Sequence, residues 1–130
     1  MATLFTKIIQ GDIPAHKVAE NDQFLAFLDI NPNAKGHTLC IPKVEVDELF
    51  DLDKDTYLDL LAFSREVAIG LKKAIACKRV GVAVIGLEVP HVHVHLIPLN
   101  DMSEMTFNHK VAMSQEALAT TAKHIATYLV

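Results

Sequence analysis

The stretch Glu88-Val89-Pro90-His91-Val92-His93-Val94-His95-Leu96-Ile97-Pro98 decides how this chain is read. Three histidines alternate with aliphatic residues at a period of two, and successive side chains of a β-strand point to opposite faces. The pattern predicts a strand with His91, His93 and His95 in a row on one face. Val92, Val94 and Leu96 then turn toward a core on the other. Pro90 suits the entry of such a strand, where its missing N–H costs least. Histidine could simply fill polar positions on a solvated face. Three of the chain's seven histidines in strict alternation is more than that reading requires.

Outward from this run, further strands and helices follow from periodicity and punctuation. Residues 79–86 are β-branched and apolar, a fourth strand before the histidine strand. Residues 16–20, 24–30 and 37–42 read as the first three strands, with Asn31-Pro32-Asn33-Ala34-Lys35-Gly36 a dense turn. Residues 4–10 read as a short helix stopped at Gly11. Leu60, Ser64, Val67 and Leu71 recur at helical spacing, so 54–76 is one long helix with Asp53 as a candidate cap. The acidic run Asp51-Leu52-Asp53-Lys54-Asp55 is not a calcium loop, because Thr56 and Ala62 replace the required glycine and glutamate. Ser114 caps a final helix with Leu118, Ala122, Ile125 and Leu129 on one face. Residues 1–130 are thus expected to form a single α+β domain, with a mostly antiparallel five-stranded sheet, one long helix and a C-terminal helix.

Composition narrows the function classes. Apolar residues make up 51% and charged residues 22%, which argues against disorder. A net charge of −4 offers no basic footprint for nucleic acid. No apolar run approaches the ~20 residues of a membrane span, and no signal-peptide pattern opens the chain. Cys40 and Cys77 lack paired spacing and read as reduced, buried thiols, so a cytoplasmic protein is expected.

Metal binding is one chemistry open to a histidine row. Along a strand, the Cα atoms of His91 and His95 stand about 13 Å apart at roughly 3.3 Å per residue. All three rings cannot share one ion with bonds of about 2.0–2.1 Å. His37 and His109 are further candidates, but no paired cysteines or HExxH motif supports them. No metal and no other cofactor is expected. The other chemistry is covalent catalysis on phosphorus. A neutral imidazole nitrogen is nucleophilic near pH 7 when its second nitrogen donates to a fixed acceptor.

The run His91-Val92-His93-Val94-His95-Leu96-Ile97 resembles the signature of the histidine-triad (HIT) family of nucleotide-binding hydrolases and transferases. The resemblance covers most of the chain. Leu4-Phe5-Thr6-Lys7-Ile8-Ile9 with Ile13-Pro14 resembles the family's opening segment. Phe27-Leu28-Asp29-Ile30-Asn31-Pro32 resembles its ribose-binding segment, and Gly36-His37-Thr38-Leu39-Cys40-Ile41-Pro42-Lys43 the segment with a fourth active-site histidine. The resemblance implies His93 as the nucleophile on the α-phosphorus, with His91, His95 and His37 in support. It implies Asp29 on the ribose hydroxyls, and Leu4, Phe5, Ile8, Phe27, Leu28 and Ile30 lining a base pocket. It also implies a homodimer, and the apolar fourth strand would be an aggregation liability if it ended the sheet unpaired.

Two departures stand out. Many members carry a polar Gly-Gln-(Ser/Thr) segment before the triad, where this chain has Gly86-Leu87-Glu88. Some bacterial members bind structural zinc through an N-terminal Cys-x-x-Cys and a histidine after Pro-Lys. This chain has Thr3, Thr6 and Glu45 there, so that site is expected to be missing. The reading is a hydrolase or nucleotidyl transferase acting on purine nucleoside monophosphate derivatives. The alternatives are a nucleotide-binding module with little turnover and a histidine metal-binding protein.

Overall fold

The computed structural model describes residues 2–129. Strands β1 (Lys17–Glu20), β2 (Phe24–Leu28), β3 (Thr38–Pro42), β4 (Arg79–Ala83) and β5 (Val94–Leu99) form one sheet of order β1-β2-β3-β5-β4. Every neighbouring pair is antiparallel. The helices are α1 (Leu4–Ile9), α2 (Lys54–Ala74) and α3 (Gln115–Ala126). Among the described residues no helix is long and apolar enough to cross a membrane.

Side-chain alternation divides the sheet between two cores. Phe24, Ala26, Leu28, Cys40, Val94 and Leu96 face α2 and α3, where they meet Leu60, Val67, Leu71, Leu118 and Ile125. Leu25, Phe27, Leu39 and Ile41 face the other way, onto Phe5 and Ile8 of α1. Both larger helices start on the expected kind of cap. The Asp53 carboxylate accepts from Thr56 N at 3.2 Å and the Ser114 hydroxyl from Ala117 N at 3.0 Å. Each cap satisfies an N–H that the first turn leaves without a partner.

The histidine run departs from its expected form. Strand β5 begins only at Val94, so His91 and His93 lie in the irregular segment before it. Pro90 supplies no N–H, His91 N turns back onto Val89 O at 2.8 Å, and Val92 N donates to Val46 O at 2.8 Å instead of to a sheet neighbour. The facial alternation nevertheless holds through the segment, because Val92 enters the α2/α3 core with Val94 and Leu96. Strand β4 ends at Ala83, three residues before Gly86, which adopts φ +73°. Strand β2 ends at Leu28 and leaves Asp29 and Ile30 beyond it. Cys40 is buried, whereas Cys77 is half-buried, and both are free thiols.

Candidate active site

Three segments converge on the face of the sheet that carries α1. The end of β2 delivers Asp29, the start of β3 delivers His37, and β5 with its lead-in delivers the triad. Strand register places Leu39 opposite His95 and so fixes the depth of the row. Gly36, at φ +94°, closes the 31–36 turn, and a Cβ there would lie 3.0 Å from Ile75 Cγ1 of the helix layer. That close approach sets His37 against the row, with its Nε2 2.9 Å from His95 Nδ1.

Hydrogen-bond partners fix each ring's tautomer, since a carbonyl only accepts and a backbone N–H only donates. His93 Nδ1 lies 2.7 Å from His91 O, so Nδ1 carries the proton and a neutral His93 keeps its lone pair on Nε2. Among the described residues that Nε2 has no hydrogen-bond partner, and no side-chain nitrogen or oxygen shut away from solvent lacks one. Nε2 therefore opens to solvent, although the residue as a whole is only 7% exposed. His37 Nδ1 accepts from Asn33 N at 3.0 Å, which leaves its proton on Nε2 to be donated to His95 Nδ1. His95 in turn carries its proton on Nε2. The row thus presents one imidazole lone pair beside one imidazole N–H.

Burial keeps the supporting rings neutral. Desolvation, followed by the neighbouring His95, pulls His37 down to about 3. Desolvation, then His93 and Lys110, pulls His95 down to about 4. Burial raises the Asp29 carboxyl, against the pull of the Asn31 N–H and of Lys110. Asp29 Oδ1 accepts from Asn31 N at 2.8 Å. Its side chain keeps 20% of its surface accessible, and Oδ2 stands 3.7 Å from His37 Nε2.

His91 is placed differently from the other two. It is fully buried, its Nε2 donates to Pro42 O at 2.8 Å, and its Nδ1 lies 2.9 Å from Thr3 Oγ1. Both ring nitrogens are engaged within the protein. Phe5 packs edge-on against it and against His93, at ring distances of 5.8 and 5.0 Å. Phe5, Ile8 and Phe27 gather on this face, while Leu4 and Ile30 are exposed and lie outside that cluster. Leu28 is not brought to the site: it points into the α2/α3 core at 2% exposure, because it follows Phe27 in one strand.

Asp29, His37 and His95 bring one potential ligand atom each within 4.8 Å of one another. A metal does not fit that trio well. His37 Nδ1 is occupied by the Asn33 N–H, so binding at Nε2 would require an imidazolate. The HIT domain profile matches residues 10–102.

The chain belongs to the HIT family.

Its relatives include the Schizosaccharomyces pombe adenosine 5'-monophosphoramidase hnt1, 40% identical over 100 residues, which span 75% of this chain and 74% of that protein. A HIT-like protein from Bartonella henselae, described as involved in cell-cycle regulation, superposes with a TM-score of 0.86 at 32% identity, covering 98% of this chain and 96% of its own. A zinc-bound histidine-triad protein from Mycobacterium smegmatis superposes at 0.84 with 25% identity, covering 99% and 94%. In this HIT protein Thr3, Thr6, Glu45 and His91 meet in one cluster. Only Glu45 and His91 there are conventional zinc ligands, two short of a closed tetrahedral site.

Several site residues carry no sequence signal of their own. Asn33 is fully buried; its side-chain amide donates to Glu104 O at 2.8 Å and its carbonyl accepts from Lys110 Nζ at 2.7 Å. With its backbone N–H on His37, it sets that ring's tautomer. Phe107, at φ +62°, packs 4.9 Å from the His95 ring with Lys110 Nζ 5.1 Å from its own centroid. Leu87 is 89% exposed and Glu88 is exposed too, so the segment before the triad supplies no buried phosphate donor.

Proposed function

We propose that this HIT protein is a hydrolase or nucleotidyl transferase that works at the α-phosphorus of purine nucleoside monophosphate derivatives. Phosphoramidates, acyl phosphates and phosphoanhydrides are the substrate classes. The observation that carries the reading is the unpartnered Nε2 of His93, held as a lone pair by the Nδ1–H bond to His91 O at 2.7 Å. Nε2 attacks phosphorus, the bond to the leaving group breaks, and that group departs with one proton taken from solvent. The nucleotidyl-His93 carries a positive ring, and the His91 carbonyl stabilises its Nδ1–H. His95 Nε2–H meets the charge that develops beside it. Water then attacks phosphorus, the phosphorus–nitrogen electron pair returns to Nε2, and the water's proton passes to solvent, which leaves His93 neutral with its proton still on Nδ1.

Asp29 takes the ribose hydroxyls, and Phe5, Ile8 and Phe27 with the exposed Leu4 and Ile30 offer the base an apolar wall. The S. pombe phosphoramidase supports an adenosine nucleotide. We further propose a cytoplasmic homodimer joined through β4, which ends the sheet and exposes Val82 at 59%. The donor-poor Gly86-Leu87-Glu88 segment favours a second reading, a nucleotide-binding module with little turnover.

Two substitutions separate these readings. His93→Ala should lower the turnover of an adenosine phosphoramidate by about 10⁴ or more, with AMP affinity nearly kept. Asp29→Ala should instead weaken AMP binding by roughly 10- to 150-fold, the size of a charged hydrogen bond. Turnover of His93→Ala within tenfold of the wild type would remove the nucleophile and leave the binding module.

A further inference from the structure

The carbonyl that sets the nucleophile's tautomer belongs to His91, in a segment without strand ladder bonds. Strand β5 starts at Val94, and the lead-in is held by His91 N on Val89 O and Val92 N on Val46 O. What pins His91 itself is its ring. Nε2 donates to Pro42 O, and a neutral ring then needs a donor on Nδ1. Two hydroxyls lie near it, Thr3 Oγ1 at 2.9 Å and Thr6 Oγ1 at 3.5 Å. The Thr6 hydroxyl is committed to Glu45 Oε1 at 2.6 Å, and the same oxygen accepts from Thr3 N at 2.9 Å. Thr3 Oγ1 already accepts from Thr6 N at 3.0 Å as the cap of α1, and its own proton faces two acceptors, Thr6 Oγ1 at 3.2 Å and the nearer His91 Nδ1 at 2.9 Å.

We propose that Thr3, Thr6 and Glu45 form a metal-free clasp that positions the nucleophile through His91. The Glu45 carboxylate orients the Thr6 hydroxyl and the Thr3 amide, and this leaves the Thr3 hydroxyl to fix the His91 ring. The ring fixes its own carbonyl, and the carbonyl holds His93 Nδ1–H. The clasp also ties α1 to the loop after β3. At six residues, α1 is too short to hold itself in place. Thr3 and Glu45 are positioning residues, since neither reaches the reacting atoms.

The inference rests on His93 as the nucleophile, and the experiment keeps the two apart. Thr3→Val, Thr3→Ser and the wild type are compared by turnover of an adenosine phosphoramidate, by calorimetric affinity for AMP, and by the ¹⁵N shifts of the histidine ring nitrogens. Thr3→Val should lower kcat by roughly 2- to 12-fold, the scale of one neutral hydrogen bond, and leave AMP affinity within twofold. The His91 Nδ1 resonance should move to that of a ring nitrogen with no hydrogen bond, while Nε2 stays protonated on Pro42 O, and Thr3→Ser should restore both rate and spectrum. A Thr3→Val protein with wild-type kcat and an unchanged His91 spectrum overturns the clasp. So does a parallel loss of rate and affinity that serine fails to rescue, because that pattern belongs to helix packing alone. A wild type that turns over no phosphoramidate defeats the nucleophile reading instead, and the shift of His91 Nδ1 between wild type and Thr3→Val then decides the clasp by itself.

Discussion

Acid should destabilise this protein well above the carboxylate range, through the His37–His95 pair. Both rings are held neutral in the folded chain, at about 3 and about 4, against 6.5 when free of the fold. Below pH 6.5 the unfolded chain takes up two protons that the folded chain refuses. The contribution is therefore complete above pH 6.5 and is lost as pH falls toward the folded values. The limiting slope for two rings is about 2.7 kcal/mol per pH unit. At pH 5 each ring costs about 2 kcal/mol relative to pH 7.5, or about 4 kcal/mol together, out of a typical total of about 5–15 kcal/mol. Both folded values lie below 5, so the result is set by the unfolded rings. His91, also lowered by burial, acts in the same direction.

Urea unfolding at pH 7.5, 6.0 and 5.0 measures the loss directly. His37→Gln removes one of the two rings and should cut the pH-dependent part to about 2 kcal/mol. The carboxylates lowered by their partners, Glu20, Glu45, Asp53 and Asp101, release their share at more acid pH and do not enter this window. Stability flat to within about 1 kcal/mol between pH 7.5 and 5 would refute the neutral pair. So would His37 and His95 proton resonances that titrate near their free value.

Local pattern made much of the fold legible. Caps at Asp53 and Ser114, helical spacing in α2 and period-two alternation around the triad are all written in neighbouring residues. The start of β5 was harder to read, because alternation continues through His91 and Val92 while the ladder bonds do not. The site's support is less legible still. Thr3 meets His91 across 88 residues and Asn33 meets Glu104 across 71, and of these four residues only His91 belongs to a motif. His91 matches the triad as well as His93 does, and only the engagement of both its ring nitrogens sets it apart. Leu28 stands between Phe27 and Asp29 in a matching motif, yet strand alternation alone sends it to the opposite face.

The dimer is tested by light scattering at micromolar concentration, which should give twice the 14.3 kDa of one chain; a single-chain mass would refute pairing through β4. The two-faced reading of β2 gives a sharper test, since Phe27 and Leu28 are adjacent and both buried, at 3% and 2% exposure. Phe27 lies 5.6 Å from Phe5 on the site face, so Phe27→Ala opens the apolar wall and should weaken AMP binding tenfold or more, about 1.4 kcal/mol. Leu28→Ala instead leaves a cavity under α2 and α3, costing about 2–5 kcal/mol of stability with AMP affinity kept within twofold. Phe27→Ala also loses core packing, so stability alone does not separate the two; calorimetric affinity on folded protein does. Equal weakening of AMP binding by both substitutions would mean that Leu28 lines the pocket after all, and that the backbone near Asp29 turns its side chain toward the site.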